Sequence, residues 1–305
     1  MPLSESMASK RIAPMPHLGG LPLSQLARNV LREVSTNNVL GRSSELAFEF
    51  LFALVPLLLF MLTVFGLFAS RSLELRSDLL DYFHDFLPGM AFALLKSAVI
   101  GLATNAGGGK LALGIVIALW FASGGIHSMI SSLNSAYHVA ESRPWWKVRV
   151  ISLALTLLLS VLLLSATFLL LVSSHFLDWL GAELGLHQTV VAIGIGLQWP
   201  AAVVFVLLSY SLIYYFGPDL HDRRWRWLTP GSAFGAFLWL LASVAFRVYL
   251  HFFNTYDASY GSLGAVMILL VWLYVTGFAF LLGGEINAEI GRAIATRAAA
   301  LFPME

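Results

Sequence analysis

Long apolar runs, separated by short stretches that hold most of the charge, set the pattern of this chain. The runs fall near Leu46–Ala69, Leu111–Ser135, Val150–Ser173, Val190–Phe216, Gly231–Leu250 and Leu263–Gly284. Each is close to the about 20 residues that a helix needs to cross the hydrocarbon core of a bilayer. The pattern predicts an all-α fold, a polytopic membrane helical bundle of about six transmembrane helices. A further apolar piece, Met90–Leu102, is too short to span and carries Lys96, so it reads as an interfacial or re-entrant helix in the first outer loop. Ahead of the first run, Leu23, Leu26, Val30 and Val34 recur at helical spacing while Arg28, Arg32 and Glu33 fall elsewhere on the wheel. That periodicity predicts an amphipathic helix on the membrane surface. The division is then an N-terminal segment, 1–44, a six-span membrane domain, 45–290, and a short tail, 291–305.

Composition strengthens the bilayer reading. Of 305 residues, 58% are hydrophobic and only 11% charged, against about 25% charged in soluble domains. The mean hydropathy is +0.80. Cysteine is absent, which excludes disulfides and thiolate metal sites. The net charge of +1 matters less than its distribution. Lys10, Arg11, Arg28, Arg32 and Arg42 precede the first run; Arg143, Lys147 and Arg149, then Arg223, Arg224 and Arg226, then Arg292 and Arg297, follow the second, fourth and sixth. Positive residues near span ends resist translocation, so both termini are expected in the cytoplasm and the chain in a bacterial inner membrane.

Ionisable groups within spans are costly, about 2.5–3.5 kcal/mol at the bilayer centre on insertion scales, and each asks for a reason. Glu45 and Glu49 lie four apart at the cytoplasmic start of the first span, and Glu285 and Glu289 repeat the spacing at the end of the sixth. The second span adds Ser123, His127, Ser131 and Asn134, with Ser128 and Ser132 beside them. One reading is a water-filled cavity open to the cytoplasm, with Glu49, Ser123, His127, Ser131, Asn134 and Glu285 as its candidate substrate-facing residues. The plainer reading pairs Arg42 with Glu45, lets the other acids reach interfacial water, and takes Gly124, Ser128 and Ser132 as a small-residue packing face. On the outer side Arg247, Asp257 and Tyr260 are candidates for a phosphate contact, or for simple snorkelling and an aromatic belt. Two basic-aromatic loops, Arg143, Trp145, Trp146, Lys147 and Arg223, Arg224, Trp225, Arg226, suit lipid headgroups. Pro56 and Pro200 fall inside spans and predict kinks.

Several segments resemble the YihY/BrkB family of bacterial inner-membrane proteins. They are Tyr260-Gly261, Trp272 and Gly283-Gly284-Glu285 in the last span, FLFALVPLL at Phe50–Leu58, LNSAY at Leu133–Tyr137 with RPWWK at Arg143–Lys147, Tyr215–Pro218, and PGSAFGAFLW at Pro230–Trp239. The resemblance runs from about Glu33 to Glu289. It implies a six-span inner-membrane protein from a family that has carried a ribonuclease label and an association with virulence or serum resistance, and for which envelope-lipid or transport roles have been suspected.

As an enzyme the chain would need a clustered site, and His221-Asp222 beside Asp219 is the one compact His/Asp group, placed in a turn after Pro218. Gly107-Gly108-Gly109-Lys110 lacks the spacing and the hydroxyl residue of a nucleotide-binding loop. The expectation is therefore a non-enzyme: a transporter or lipid translocator, with a non-transporting envelope scaffold as the alternative. Membrane lipids and a small-molecule or lipid substrate are the expected partners. No nucleic acid and no cofactor are expected, and an oligomer is allowed but unsupported.

Overall fold

The computed structural model describes residues 20–69, 108–184, 188–220, 228–252 and 262–301. Among them are seven helices: α1 Leu23–Thr36, α2 Val39–Ala69, α3 Gly108–Ala136, α4 Trp145–Leu184, α5 Gln188–Phe216, α6 Pro230–Phe252 and α7 Ser262–Leu301. Each predicted span falls within one of α2 to α7. Among the described residues, four stretches are long and apolar enough to cross a membrane: Leu113–Ala136, Trp145–Ala166, Pro230–Tyr249 and Val266–Arg297, with Pro200–Phe216 as a shorter apolar helix. The expected Met90–Leu102 helix, the loop Arg223–Arg226, and Asp257 and Tyr260 lie outside the described residues.

The long helices pack in chain order, each against the next, and α2 and α7 close the ring. Short connections favour neighbours of this kind. The centre is apolar, with Leu46 of α2, Met129 and Leu133 of α3, Tyr210, Ile213 and Tyr214 of α5, and Phe280 and Leu281 of α7 in one cluster. Where small polar residues turn inward, their hydroxyls bond back along their own helix. Ser152, Thr156 and Ser160 of α4 are buried and donate to the carbonyls of Val148, Ser152 and Thr156. A buried hydroxyl without a partner would cost about 1–3 kcal/mol.

Helices α6 and α7 approach through glycine. Gly231 and Gly235 lie one turn apart on α6, facing Gly283 and Ala279 of α7, and a Cβ on Gly283 would collide with the Gly231 carbonyl and the Tyr214 hydroxyl. Close backbone approach of this kind is the usual use of small residues in membrane helix pairs. It is tied off by side chains. Asn287 of α7 accepts from the Gly231 amide at 2.9 Å and donates to Thr229 Oγ1 at 2.9 Å, and Thr229 and Ser232 cap the start of α6 reciprocally. Pro56 and Pro200 lie inside α2 and α5, which continue as helices on either side of them.

The amphipathic helix forms with most of its predicted stripe inward: Leu26 and Val30 are buried and Val34 packs beside them, while Leu23 turns out and Glu33 joins the inner face. Leu26, Val30 and Glu33 are buried, whereas Leu23 is 57% exposed and Leu31 69%. Helix α1 packs on α7 rather than lying free, with Leu26 and Val30 against Ile290.

Candidate functional site

Polar side chains gather at the end of the bundle where α1 lies. Asn29, Glu33 and Asn37 stand four residues apart, on one face of α1 and its C-terminal turn. Each reaches α7. Asn29 Nδ2 donates to Glu289, Arg292 Nη2 stands 3.9 Å from Glu33, and Asn37 Nδ2 donates to Glu285 Oε1 at 2.8 Å. Arg292 also pairs with Glu289 at 2.9 Å and donates to the Ala136 carbonyl at the end of α3. His138 closes the group from α3, with Nε2 at 3.2 Å from both Glu33 Oε2 and Asn37 Oδ1.

His138 is held there by an unusual backbone. Helix α3 ends with Val139 N–H on the Asn134 carbonyl and His138 N–H on that of Ser135, a pattern that places the intervening residue in the left-handed region. His138 takes φ 56° in the position where glycine is customary. Such outliers concentrate at functional positions.

Glu285 is the most enclosed of the acids, 1% exposed, and its Oε2 is buried with no hydrogen-bond partner. The preceding glycines explain the enclosure. Gly283 admits the α6 backbone, and Gly284 lies against Leu133, so α7 sits close to its neighbours on both sides. Beside this group a cleft of about 500 Å³ is lined by Asn29, Arg32, Glu33, His138, Glu289 and Arg292.

A second polar group joins α3, the loop after it, and the end of α5. Arg143 grips Glu141 through two bonds of 2.7 and 2.6 Å, lies 3.6 Å from Asp219, and donates to the Gly217 carbonyl at 2.8 Å. A guanidinium at the C-terminal end of α5 also complements that helix's dipole. Asn134 bridges the same parts, accepting from the Asp219 amide and donating to Glu141. Ser142 completes the clamp with its amide and hydroxyl on Asp219 Oδ2. The fork-like pairing with Arg143 holds the Glu141 carboxyl below the ordinary carboxylate range, and raises the Arg143 guanidinium in turn.

The six residues expected to line one cavity divide between four places. Glu285 lies in the α1–α7 group. His127, Ser131 and Asn134 line a cleft of about 530 Å³ between α3 and α4, with Ile130, Ser135, Glu141, Arg143, Trp145 and Val148. Ser123 is fully buried and donates to the Trp120 carbonyl, while Glu49 faces Gly124 on the α2 side of α3. The stripe on α3 is thus split, because residues three and four apart on a helix diverge from a straight line and α3 has neighbours on two sides. Arg143 is not a free headgroup cation, since the clamp engages it; Trp145 and Trp146 remain 68% and 57% exposed, with Lys147 over the Trp146 ring. Arg247 is exposed on α6.

Asn29, Glu33, Asn37, His138, Arg292 and Glu141 were not among the site candidates read from the sequence, and Asp219 was noted only beside His221-Asp222 in a turn. The i, i+4, i+8 spacing of the first three was a usable signal, hidden because they flank rather than occupy the apolar stripe.

This arrangement defines a class, the helical membrane protein whose polar groups concentrate at one end of an apolar ring. The chain belongs to the BrkB family: the family described as Virulence factor BrkB matches residues 30–302. A ribonuclease-like protein, YfkH, of Bacillus subtilis is 34% identical over 250 residues, covering 81% of this chain and 88% of its own length. A UPF0761 membrane protein of Xanthomonas campestris is 29% identical over 282 residues, 88% of this chain. This chain spans 61% of that relative's length. A UPF0761 membrane protein of Tolumonas auensis is 27% identical over 251 residues, 82% of this chain and 80% of its own. No solved structure matches the chain.

Proposed function

We propose that this protein is a transporter or lipid translocator of the bacterial inner membrane, with its polar end toward the cytoplasm. The observation that carries the reading is Glu285, an acid only 1% exposed with one oxygen unpartnered. Leaving such a group unsatisfied costs free energy, and a bundle that served only as a scaffold would gain by filling the position with an apolar residue. A binding step that brings a donor to Oε2 offsets that cost. The cytoplasmic placement rests on the Lys and Arg asymmetry of the loops. The protein is read as a carrier rather than an enzyme, in keeping with side chains at this end that are committed to one another by hydrogen bonds. The ribonuclease-like name stays with the Bacillus relative.

The cargo is an amphiphilic or anionic molecule, with membrane lipid the first candidate. The test is reconstitution of the full chain in liposomes, followed by scrambling of labelled phospholipid and uptake of small organic anions. Faster movement of one of these than in empty vesicles is expected. Equal rates for every substrate class would overturn the reading and leave the scaffold.

A further inference from the structure

The cleft between α3 and α4 has a composition that packing alone does not explain. Helix α3 is one of the stretches apolar enough to span a membrane, yet His127 and Ser131, one turn apart, are exposed on it and open into the cleft. They lie on the ring's outer surface, between neighbouring helices, where the surroundings of a spanning segment are lipid. Polar side chains there are costly unless something polar meets them. The floor is apolar, from Ile130 and Val148, and the rim carries the exposed indole of Trp145 and the Glu141–Arg143 pair. At about 530 Å³ the space falls within the usual range for a small-molecule site.

We infer that the α3–α4 cleft binds the headgroup of a zwitterionic phospholipid, reached sideways from the bilayer. Ser131 Oγ–H and an imidazole N–H of His127 donate to the phosphate. Glu141, Asp219 and Arg143 together carry one net negative charge, two carboxylates against one guanidinium, and this favours the lipid's ammonium at the rim. The pairing with Arg143 keeps Glu141 ionised at neutral pH. The acyl chains leave past Trp145, an amphipathic side chain suited to the headgroup level. A hydrophobic floor with a few placed donors is the usual build of a small-ligand site. The inference rests on the translocator reading in taking a membrane lipid as occupant, but it concerns binding and is tested as binding.

The full chain is purified in detergent, and retention of phosphatidylethanolamine is measured by native mass spectrometry against diacylglycerol, which lacks phosphate and amine. The comparison variant is His127→Leu with Ser131→Ala, whose apolar side chains suit a lipid-facing surface; matching thermal unfolding profiles verify the fold, and Ser131→Ala alone serves if the double variant unfolds. The wild type is expected to retain phosphatidylethanolamine about tenfold more strongly than the variant, the loss of about 1.4 kcal/mol that two such donors supply, with diacylglycerol unchanged. Equal retention of phosphatidylethanolamine by both proteins would overturn the inference, as would a parallel fall for diacylglycerol. Retention lost in the variant while wild-type liposomes move no solute would sustain the binding site and remove the translocator. Scrambling in the wild type with equal retention in both proteins would do the reverse.

Discussion

Single atoms decide how closely the helices of this bundle meet. Gly283 has no room for a Cβ, since the Gly231 carbonyl and the Tyr214 hydroxyl, itself bonded to the Phe280 carbonyl, occupy its space. Gly283→Val is expected to lower stability by roughly 1–3 kcal/mol, the usual cost of overpacking. Gly291→Ala, where nothing lies within 4 Å, should be neutral or stabilising by up to about 1 kcal/mol from helix propensity. Thermal unfolding of the two variants in one detergent compares them directly, and equal midpoints would refute the close crossing. At Glu141 stability depends on pH. Its carboxyl titrates lower in the folded chain than in the unfolded one, so its contribution is complete above the ordinary carboxylate range and fades as pH falls through its folded value. The stability gap between wild type and Glu141→Gln should therefore be widest at neutral pH and close on acidification below about pH 4. A gap independent of pH would show that the Arg143 pairing contributes nothing.

At the scale of elements, α1 is a strap held by few apolar contacts and a polar ladder. Leu26 and Val30 meet Ile290, and Asn29, Glu33 and Asn37 meet Glu289, Arg292 and Glu285. Val30→Asp places a charge in that small patch, at a cost of several kcal/mol if it stays buried, so α1 should detach while the ring remains folded. Limited trypsin digestion should then cut at Arg28 or Arg32 about tenfold faster, as local opening becomes cheaper. An unchanged rate would mean that α1 is not docked through Val30. The same helix shows what a sequence can and cannot reveal. Its amphipathic period was legible from Leu26, Val30 and the flanking arginines, because period depends on the helix alone. The polar half of its docking was not, because Glu33 becomes a buried residue only once Arg292, from the far end of the chain, stands beside it. Asn134 was legible as a polar residue at a span's end, whereas its role as a bridge between Glu141 and Asp219 depends on α3 meeting α5.

For the whole molecule, length and hydropathy were sufficient to place α2 through α7, since each long apolar run needs a full helix to satisfy its backbone in lipid. The ring order and the separation of the polar residues into different places needed the tertiary arrangement. The proposed sidedness rests on the Lys and Arg asymmetry of the loops, and on it reporter fusions after Gly181 should read outside while those after Glu141 and Arg297 read cytoplasmic; a fusion after Glu141 on the outer side would invert the proposed placement of α1. The central claim is that enclosed Glu285, rather than the ring as a whole, does the work. Its most direct test is the rate of phospholipid or organic-anion movement through liposomes containing Glu285→Gln, compared with wild type at equal, verified incorporation of folded protein. The amide keeps the shape but lacks the carboxyl's second oxygen, so a fall of about tenfold or more in rate is predicted, about 1.4 kcal/mol of lost differential binding. A rate equal to wild type would contradict the account.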